Sequence, residues 1–186
     1  MTFVGGDFGE WRVERIEAVR GDPLPFVRRL AMIEGGEVTS GEQIWALHGV
    51  TSNERYVGVS DREKLAERQQ PLGRDEASHA ALISISKTET WWNLTQEERL
   101  ELFSPQSRHI EIGLKYLPAV ARRLHHCRDV GNEPFDFLTW FEYPAESANA
   151  FEELVLRLRD TPEWDFVDHE VDIRLSRVPG STSPVS

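Results

Sequence analysis

The order of predicted elements between Ala80 and Leu175 limits the fold of this chain more than any other sequence feature. Alternating, β-branched and aromatic residues indicate strands, while capping residues and apolar residues at helical spacing indicate helices. The order along the chain is strand, two helices, strand, strand, helix and strand. The segments are Ala80 to Ser86, Thr95 to Phe103, Ser107 to Leu117, Ala119 to Asp129, Phe135 to Tyr143, Glu146 to Asp160 and Phe166 to Leu175.

The helical segments carry local signals for where they begin and end. Thr95 and Glu98 match a capping box, in which each side chain bonds a free backbone amide of the other residue. Pro118 ends the second helix, because proline lacks the amide hydrogen that a helix interior needs. The last helix has one apolar face. That face consists of Phe151, Leu154, Val155 and Leu158.

This order of elements is the split βαβ pattern of a ferredoxin-like domain. The first part of the chain has candidate strands at Trp11 to Val19 and at 43–50, and a short polar helix at Asp61 to Gln70. We therefore expect it to be a trimmed copy of the same unit. The predicted fold is α+β, with a truncated ferredoxin-like half over 1–76, a C-terminal ferredoxin-like domain over 77–177 and a flexible tail over 178–186.

Charge and cysteine content exclude several classes of function. The net charge of −11 argues against binding to nucleic acid and to anionic membranes, both of which need a basic surface. Cys127 is the only cysteine, so an intrachain disulfide and a multi-cysteine zinc site are excluded. The N-terminus has neither a basic region nor a long apolar run, and no stretch approaches the ~18–20 apolar residues of a membrane span. We therefore expect a cytoplasmic protein.

A series of motifs rich in aromatic, histidine and arginine residues extends from Gln69 to Arg177. The motifs are Lys87 with Trp91-Trp92, Ser107-Arg108-His109-Ile110, Leu114 to Arg122, His126 to Asp129, Phe135 to Tyr143, Glu163-Trp164 and Val171 to Leu175. Together they resemble the chlorite dismutase family, in its compact branch of dimeric proteins. The resemblance implies a dimeric α+β barrel type of fold, a homodimer and a haem b cofactor (iron protoporphyrin IX). The chain has no C-x-x-C-H motif for covalent haem attachment, so the haem would be non-covalent.

The resemblance also implies roles for single residues. His109 would be the proximal iron ligand, and Glu163 would accept a hydrogen bond from it and make the ring a stronger donor. Arg122 would project into the pocket on the other side of the haem, where Gln69 would hold it. Lys87, Trp91 and Trp92 would pack at the haem edge and its propionates. Tyr56, at the end of a further similar stretch from Trp45, would also reach a propionate.

The spacing of His109 and Arg122 constrains the path of the chain between them. Arg122 follows His109 by 13 residues. An unbroken helix would separate them by about 20 Å along its axis, so the chain must turn at Pro118 for both to meet one cofactor. Arg123 is adjacent, and strand alternation allows only one of the two arginines to face the pocket; the resemblance selects Arg122. The other histidines are interpreted as structural: His48, His79, His125, His126 and His169.

The family chemistry implies that chlorite becomes chloride and dioxygen through a ferryl intermediate and a transient hypochlorite. Arg122 suits the task of holding a chlorine oxyanion, because its charge is permanent and its donors form a fork. A coproheme decarboxylase-like enzyme of haem synthesis is the main alternative, although such proteins are longer and lack the distal arginine. A haem-binding sensor or carrier without turnover, and an α+β protein without haem, are further alternatives.

Overall fold

The computed structural model of the chain describes residues 1–35, 41–52 and 68–180. The strands are β1 (Thr2–Gly6), β2 (Trp11–Arg20), β3 (Arg29–Ile33), β4 (Gln43–His48), β5 (Val50–Thr51), β6 (His79–Lys87), β7 (Ala121–His126), β8 (Phe137–Tyr143) and β9 (Val167–Arg177). The α-helices are α1 (Glu89–Asn93), α2 (Gln96–Glu101), α3 (His109–Leu114) and α4 (Ala148–Arg159). A π-helical turn at Leu102–Gln106 and 3-10 turns at Arg128–Val130, Ala145–Ser147 and Pro162–Phe166 complete the set.

The C-terminal half has the strand order β9-β6-β8-β7, and all neighbours are antiparallel. Helices α1 to α3 connect β6 to β7, and α4 connects β8 to β9. This is the ferredoxin-like arrangement of two split βαβ units. The predicted α+β fold of this half is therefore confirmed, and so are the capping box of Thr95 and Glu98 and the buried face of α4.

The N-terminal half has the equivalent strand order, β4-β1-β3-β2. Because β3 is antiparallel to both β1 and β2, the chain must cross over β3 to pass from β1 to β2. The C-terminal half uses three helices for the equivalent crossing, whereas here residues 7–10 suffice. Gly9 (φ 118°) makes this possible, because a Cβ at this position would lie 2.2 Å from the carbonyl oxygen of Leu30. The predicted truncation is thus seen in the connection from β1 to β2, where residues 7–10 replace the helices of the C-terminal half.

The two halves form one closed sheet. Strand β2 pairs with β9, and β5 pairs with β7. Strands β4 and β5 lie at opposite ends of the strand order, yet only Gly49 separates them in the chain, so the sheet curls into a barrel. A Cβ at Gly49 would lie 2.7 Å from the Cβ of His125, which shows how closely the ends of the sheet meet.

Two apolar clusters lie on the two faces of this sheet. The first fills the barrel and includes Phe3, Trp11 and Trp140. The second lies between the outer face of the C-terminal half and its helices, and includes Phe141 and Phe151. This second layer contains the pocket discussed below. Among the described residues, no helix is long and apolar enough to span a membrane.

Several predictions about local structure differ from the observed elements. Strands β1 and β3 and helix α1 were not predicted. The helix expected at Ser107 to Leu117 is shorter, because Arg108 has the left-handed φ of 52° and the helix begins only at His109. Most of the helix expected at Asp61 to Gln70 lies outside the described residues. The division of the chain at residues 76 and 77, and the flexible tail, stay predictions.

The buried His125 makes the stability of the barrel dependent on pH. Its ring is fully buried against Phe3, and burial, with further contributions from the Met1 ammonium and Arg123, lowers its pKa from 6.5 to about 4. As the pH falls below about 6.5, His125 binds a proton in the unfolded chain but stays neutral in the folded chain down to about pH 4. The free energy of unfolding therefore decreases over this pH range. At about 1.4 kcal/mol per pH unit, the loss is about 3 kcal/mol.

We therefore compare denaturant unfolding of the wild type and of a His125→Phe variant at pH 7 and pH 4. We expect the free energy of unfolding to fall by about 3 kcal/mol more in the wild type than in the variant. The variant keeps a ring beside Phe3 but cannot bind the proton. Equal pH slopes for the two proteins would contradict the assignment to His125.

Candidate active site

A pocket lies between the outer face of strands β6 to β8 and helices α3 and α4. It contains about 1170 Å³ of space that no protein atom fills, part of it open to solvent. Most of its lining is aliphatic or aromatic. The residues that line it with charged or polar groups are Lys87, His109, Arg122, Thr139 and Glu163.

His109 enters the pocket from the helical wall, at the first residue of α3. Its ring stacks on Phe103, with 4.4 Å between the ring centroids, and its Nδ1 lies 2.7 Å from Oε2 of Glu163. Within the described part of the chain, no residue bonds Nε2. Because a carboxylate accepts the hydrogen on Nδ1, the lone pair of Nε2 is available to a ligand in the pocket.

Glu163 lies on the 3-10 turn Pro162–Phe166, and all its polar atoms have partners. Its backbone amide donates to Oγ of Ser107 at 2.9 Å, and Nζ of Lys87 donates both to its carbonyl oxygen at 3.2 Å and to Oε1 at 2.8 Å. Oε2 faces His109. Burial alone would raise the pKa of this carboxyl, but the adjacent His109 and Lys87 lower it to about 2. Glu163 is therefore an ionised and rigidly held acceptor.

Lys87 lines the pocket but is engaged chiefly with Glu163. Its ammonium lies 4.5 Å from the centroid of the Trp91 ring, and its side chain is 2% exposed. Burial lowers the pKa of Lys87, and the carboxylate of Glu163 counteracts that effect. Lys87 was expected at the haem edge; the structure adds this ion pair beside the histidine.

The two tryptophans of the matched motif have different positions. Trp91 is buried and lines the pocket. Trp92 lies behind the pocket wall and stacks on Phe137, with 6.1 Å between the ring centroids. Its Nε1 donates to Oδ2 of Asp136 at 3.1 Å. Trp92 therefore contacts the pocket through Phe137, whereas Tyr56 lies outside the described residues.

Arg122 enters the pocket from the opposite wall, on β7, while Arg123 is absent from the lining. Burial lowers the pKa of the Arg122 guanidinium, and within the described ranges no carboxylate pairs with it. Gln69 lies beside Arg122 but bonds its backbone: Nε2 donates to the carbonyl oxygen of Arg122 at 2.7 Å. Gln69 therefore holds the strand at this residue rather than the guanidinium.

The chain reverses between His109 and Arg122, as the spacing requires. Helix α3 ends at Leu114, and a turn that contains Pro118 leads to β7 at Ala121. His109 and Arg122 consequently line one pocket. The contacts of Phe103 and Ser107 with this site were not predicted. Ser107 stood in the matched motif, but its partner Glu163 is 56 residues away.

Comparisons with known proteins agree with this arrangement. A family model described as chlorite dismutase matches residues 26–178. The structure resembles that of dimeric chlorite dismutases from Nitrobacter winogradskyi, with a TM-score of 0.88 and 49% identity over 95% of this chain and 99% of that chain. The chlorite dismutase of Candidatus Nitrospira defluvii in complex with imidazole gives a TM-score of 0.58 and 28% identity, over 72% of this chain and 55% of that chain.

A curated relative has a longer chain. The chlorite dismutase of Ideonella dechloratans is 36% identical over 89 residues, which are 48% of this chain and 29% of that protein. The match thus spans less than a third of the curated relative. The family model, in contrast, covers most of the present chain, including every described residue that lines the pocket. The chain therefore belongs to the chlorite dismutase family.

Proposed function

We propose that this chain is a haem b-dependent chlorite dismutase, which converts chlorite to chloride and dioxygen. The observation that supports this most is that His109 and Arg122 line one largely apolar pocket from opposite walls. The buried Glu163 at 2.7 Å from Nδ1 of His109 adds to it. The resemblance to the dimeric proteins of Nitrobacter winogradskyi supports a homodimer. A cytoplasmic location stays a prediction.

The residues of the pocket fit a haem. A porphyrin is flat and apolar, and Ile83, Ile110, Leu117 and Phe141 are among the apolar residues of the lining. His109 would bind the iron through Nε2, because Nδ1 is engaged with Glu163. Such a carboxylate partner fixes the ring tautomer and raises the basicity of the ligand.

When bound, haem b supplies the iron at which a chlorine–oxygen bond of chlorite breaks and dioxygen forms. The protein contributes charge to this reaction. Lys87 and Glu163 form an ion pair, so among the described residues of the lining Arg122 provides the excess positive charge. That local charge attracts an anion into the pocket of a protein whose net charge is −11.

Arg122 also retains the chlorine oxyanion within the pocket until dioxygen has formed. Its guanidinium presents a planar set of donors that matches two oxygens of an oxyanion. The largely apolar lining strengthens this contact, because it lowers the local dielectric constant around the guanidinium. Glu163 keeps the proton of His109 on Nδ1 throughout.

Haem titration tests the proposed ligand. We expect a His109→Ala variant to bind haem at least about tenfold more weakly than the wild type, measured from the Soret absorbance, because the iron loses its axial ligand. His169→Ala is the matched control, since His169 lies on β9 and is absent from the pocket lining. Equal affinity in wild type and His109→Ala would refute the assignment of His109.

An oxygen electrode then distinguishes the candidate activities of the haem-loaded protein. A chlorite dismutase releases dioxygen from chlorite. A coproheme decarboxylase releases carbon dioxide from iron coproporphyrin with peroxide, and a sensor or carrier shows a Soret band but no turnover. Absence of oxygen release from the fully loaded wild type would exclude the proposed activity.

A further inference from the structure

Side chains bond the backbone near the start of β7 and in the turn that precedes it. On one side, all six residues of β7 pair with β8. On the other side, the described part of β5 pairs only with His125 and His126. The carbonyl oxygen of Arg122 instead accepts from Gln69, and the two carbonyl oxygens of the preceding turn accept from Arg74.

Arg74 contacts the turn that connects the proposed iron ligand to Arg122. Its NH2 group lies 3.0 Å from the carbonyl oxygen of Ala119, and its NH1 group lies 3.4 Å from that of Pro118. These hydrogen bonds are charge-assisted, and one planar guanidinium supplies both donors. Arg74 thus holds the residues immediately before β7.

Arg74 is itself anchored to the barrel. The amide of the preceding Gly73 donates to Oε2 of the buried Glu142 at 2.6 Å. The carbonyl oxygen of Arg74 accepts from NH1 of Arg177 at 3.2 Å and from the amide of Ala77 at 3.1 Å. The side chain of Arg74 is only 14% exposed. It therefore extends from a fixed backbone rather than from a free loop.

From these contacts we infer that Arg74 is a positioning residue for Arg122. Ala119 precedes Arg122 by only three residues, so the position of its carbonyl contributes, with the pairing of β7 to β8, to where the guanidinium of Arg122 enters the pocket. The turn has its own hydrogen bonds, from the amide of Val120 to Tyr116 and from that of Tyr116 to Gly113. Without Arg74, the turn would keep its shape but lose two of the hydrogen bonds that fix it on the barrel. This inference rests on the anion-binding role proposed for Arg122.

Fluoride binding to the ferric, haem-loaded protein tests the inference without turnover. We expect Arg74→Gln and Arg74→Lys each to weaken fluoride binding by about fivefold, measured by absorbance, because lysine cannot bond two carbonyls as a fork. In an Arg122→Ala background, the same substitutions should have no further effect. Arg157→Gln is the matched control, because Arg157 is an exposed arginine that pairs with Glu153 on α4.

Several results would overturn the inference. One is unchanged fluoride affinity in both Arg74 variants; another is an equal loss with and without Arg122, which would indicate a general structural effect. If Arg122→Ala alone leaves fluoride affinity unchanged, the role proposed for Arg122 fails. Amide hydrogen exchange then still tests Arg74: exchange at Ala121 to Leu124 should be faster in Arg74→Lys than in the wild type, and equal rates would exclude a positioning role.

Discussion

Replacing Arg122 with alanine will slow oxygen release from chlorite by about ten- to a hundredfold and will increase the release of hypochlorite. Hydrogen bonds to charged groups contribute about 1.5–3 kcal/mol, which corresponds to this range. Within the described residues, no carboxylate pairs with Arg122, and its side chain lines the pocket. An oxygen electrode gives the rate, and a chlorination probe such as monochlorodimedone gives the hypochlorite.

Arg123→Ala is the control for this experiment, because it removes a neighbouring arginine of the same strand that does not line the pocket. Its oxygen release should equal that of the wild type. Arg122→Lys keeps the charge but lacks the fork of donors, so we expect an intermediate rate with more hypochlorite than in the wild type. Unchanged oxygen yield and enzyme lifetime in Arg122→Ala would be incompatible with the proposed retention of the oxyanion.

The local signals of the C-terminal half were strong enough to predict its four strands, the helices α2 to α4 and their order, but not helix α1. The capping box of Thr95 and the apolar face of α4 each depend on residues within one or two helical turns. Strand alternation likewise predicted that Arg122 and Arg123 point to opposite faces of the strand. It did not show which of the two arginines faces the pocket. The resemblance made that choice, and Arg122 lines the pocket while Arg123 is absent from the lining.

The parts that were not predicted depend on contacts distant in sequence. Strand β1 contains Gly5 and Gly6, which resemble a loop in a sequence. Gly5 is glycine because the indole of Trp45 packs on it; a Cβ there would lie 2.2 Å from the indole. The ion pair of Lys87 joins residues 76 positions apart, and no local pattern indicates it. Such contacts form only when the folded sheet brings residues that are distant in sequence together.

Replacing Glu163 with alanine will reduce the free energy of unfolding of the haem-free protein by about 3–5 kcal/mol. The substitution leaves the ammonium of Lys87 buried without its carboxylate, and an unpaired buried charge has a cost of this size. Urea unfolding followed by tryptophan fluorescence measures the loss. Glu153→Ala is the matched control: this exposed carboxylate pairs with Arg157, and its removal should change the free energy of unfolding by less than about 1 kcal/mol.

A second substitution identifies the cause of the loss. In a Lys87→Met background the buried charge is gone, so adding Glu163→Ala should reduce the free energy of unfolding by at least about 2 kcal/mol less than it does in the wild type. Equal losses in the two backgrounds would show that the carboxylate of Glu163 stabilises the fold through His109 instead, since the bond to Ser107 comes from the backbone amide and survives the substitution. If the coupling is found, the carboxylate that orients the proposed iron ligand also neutralises a buried lysine. Removal of the Glu163 carboxylate would then lower the free energy of unfolding even of the haem-free protein.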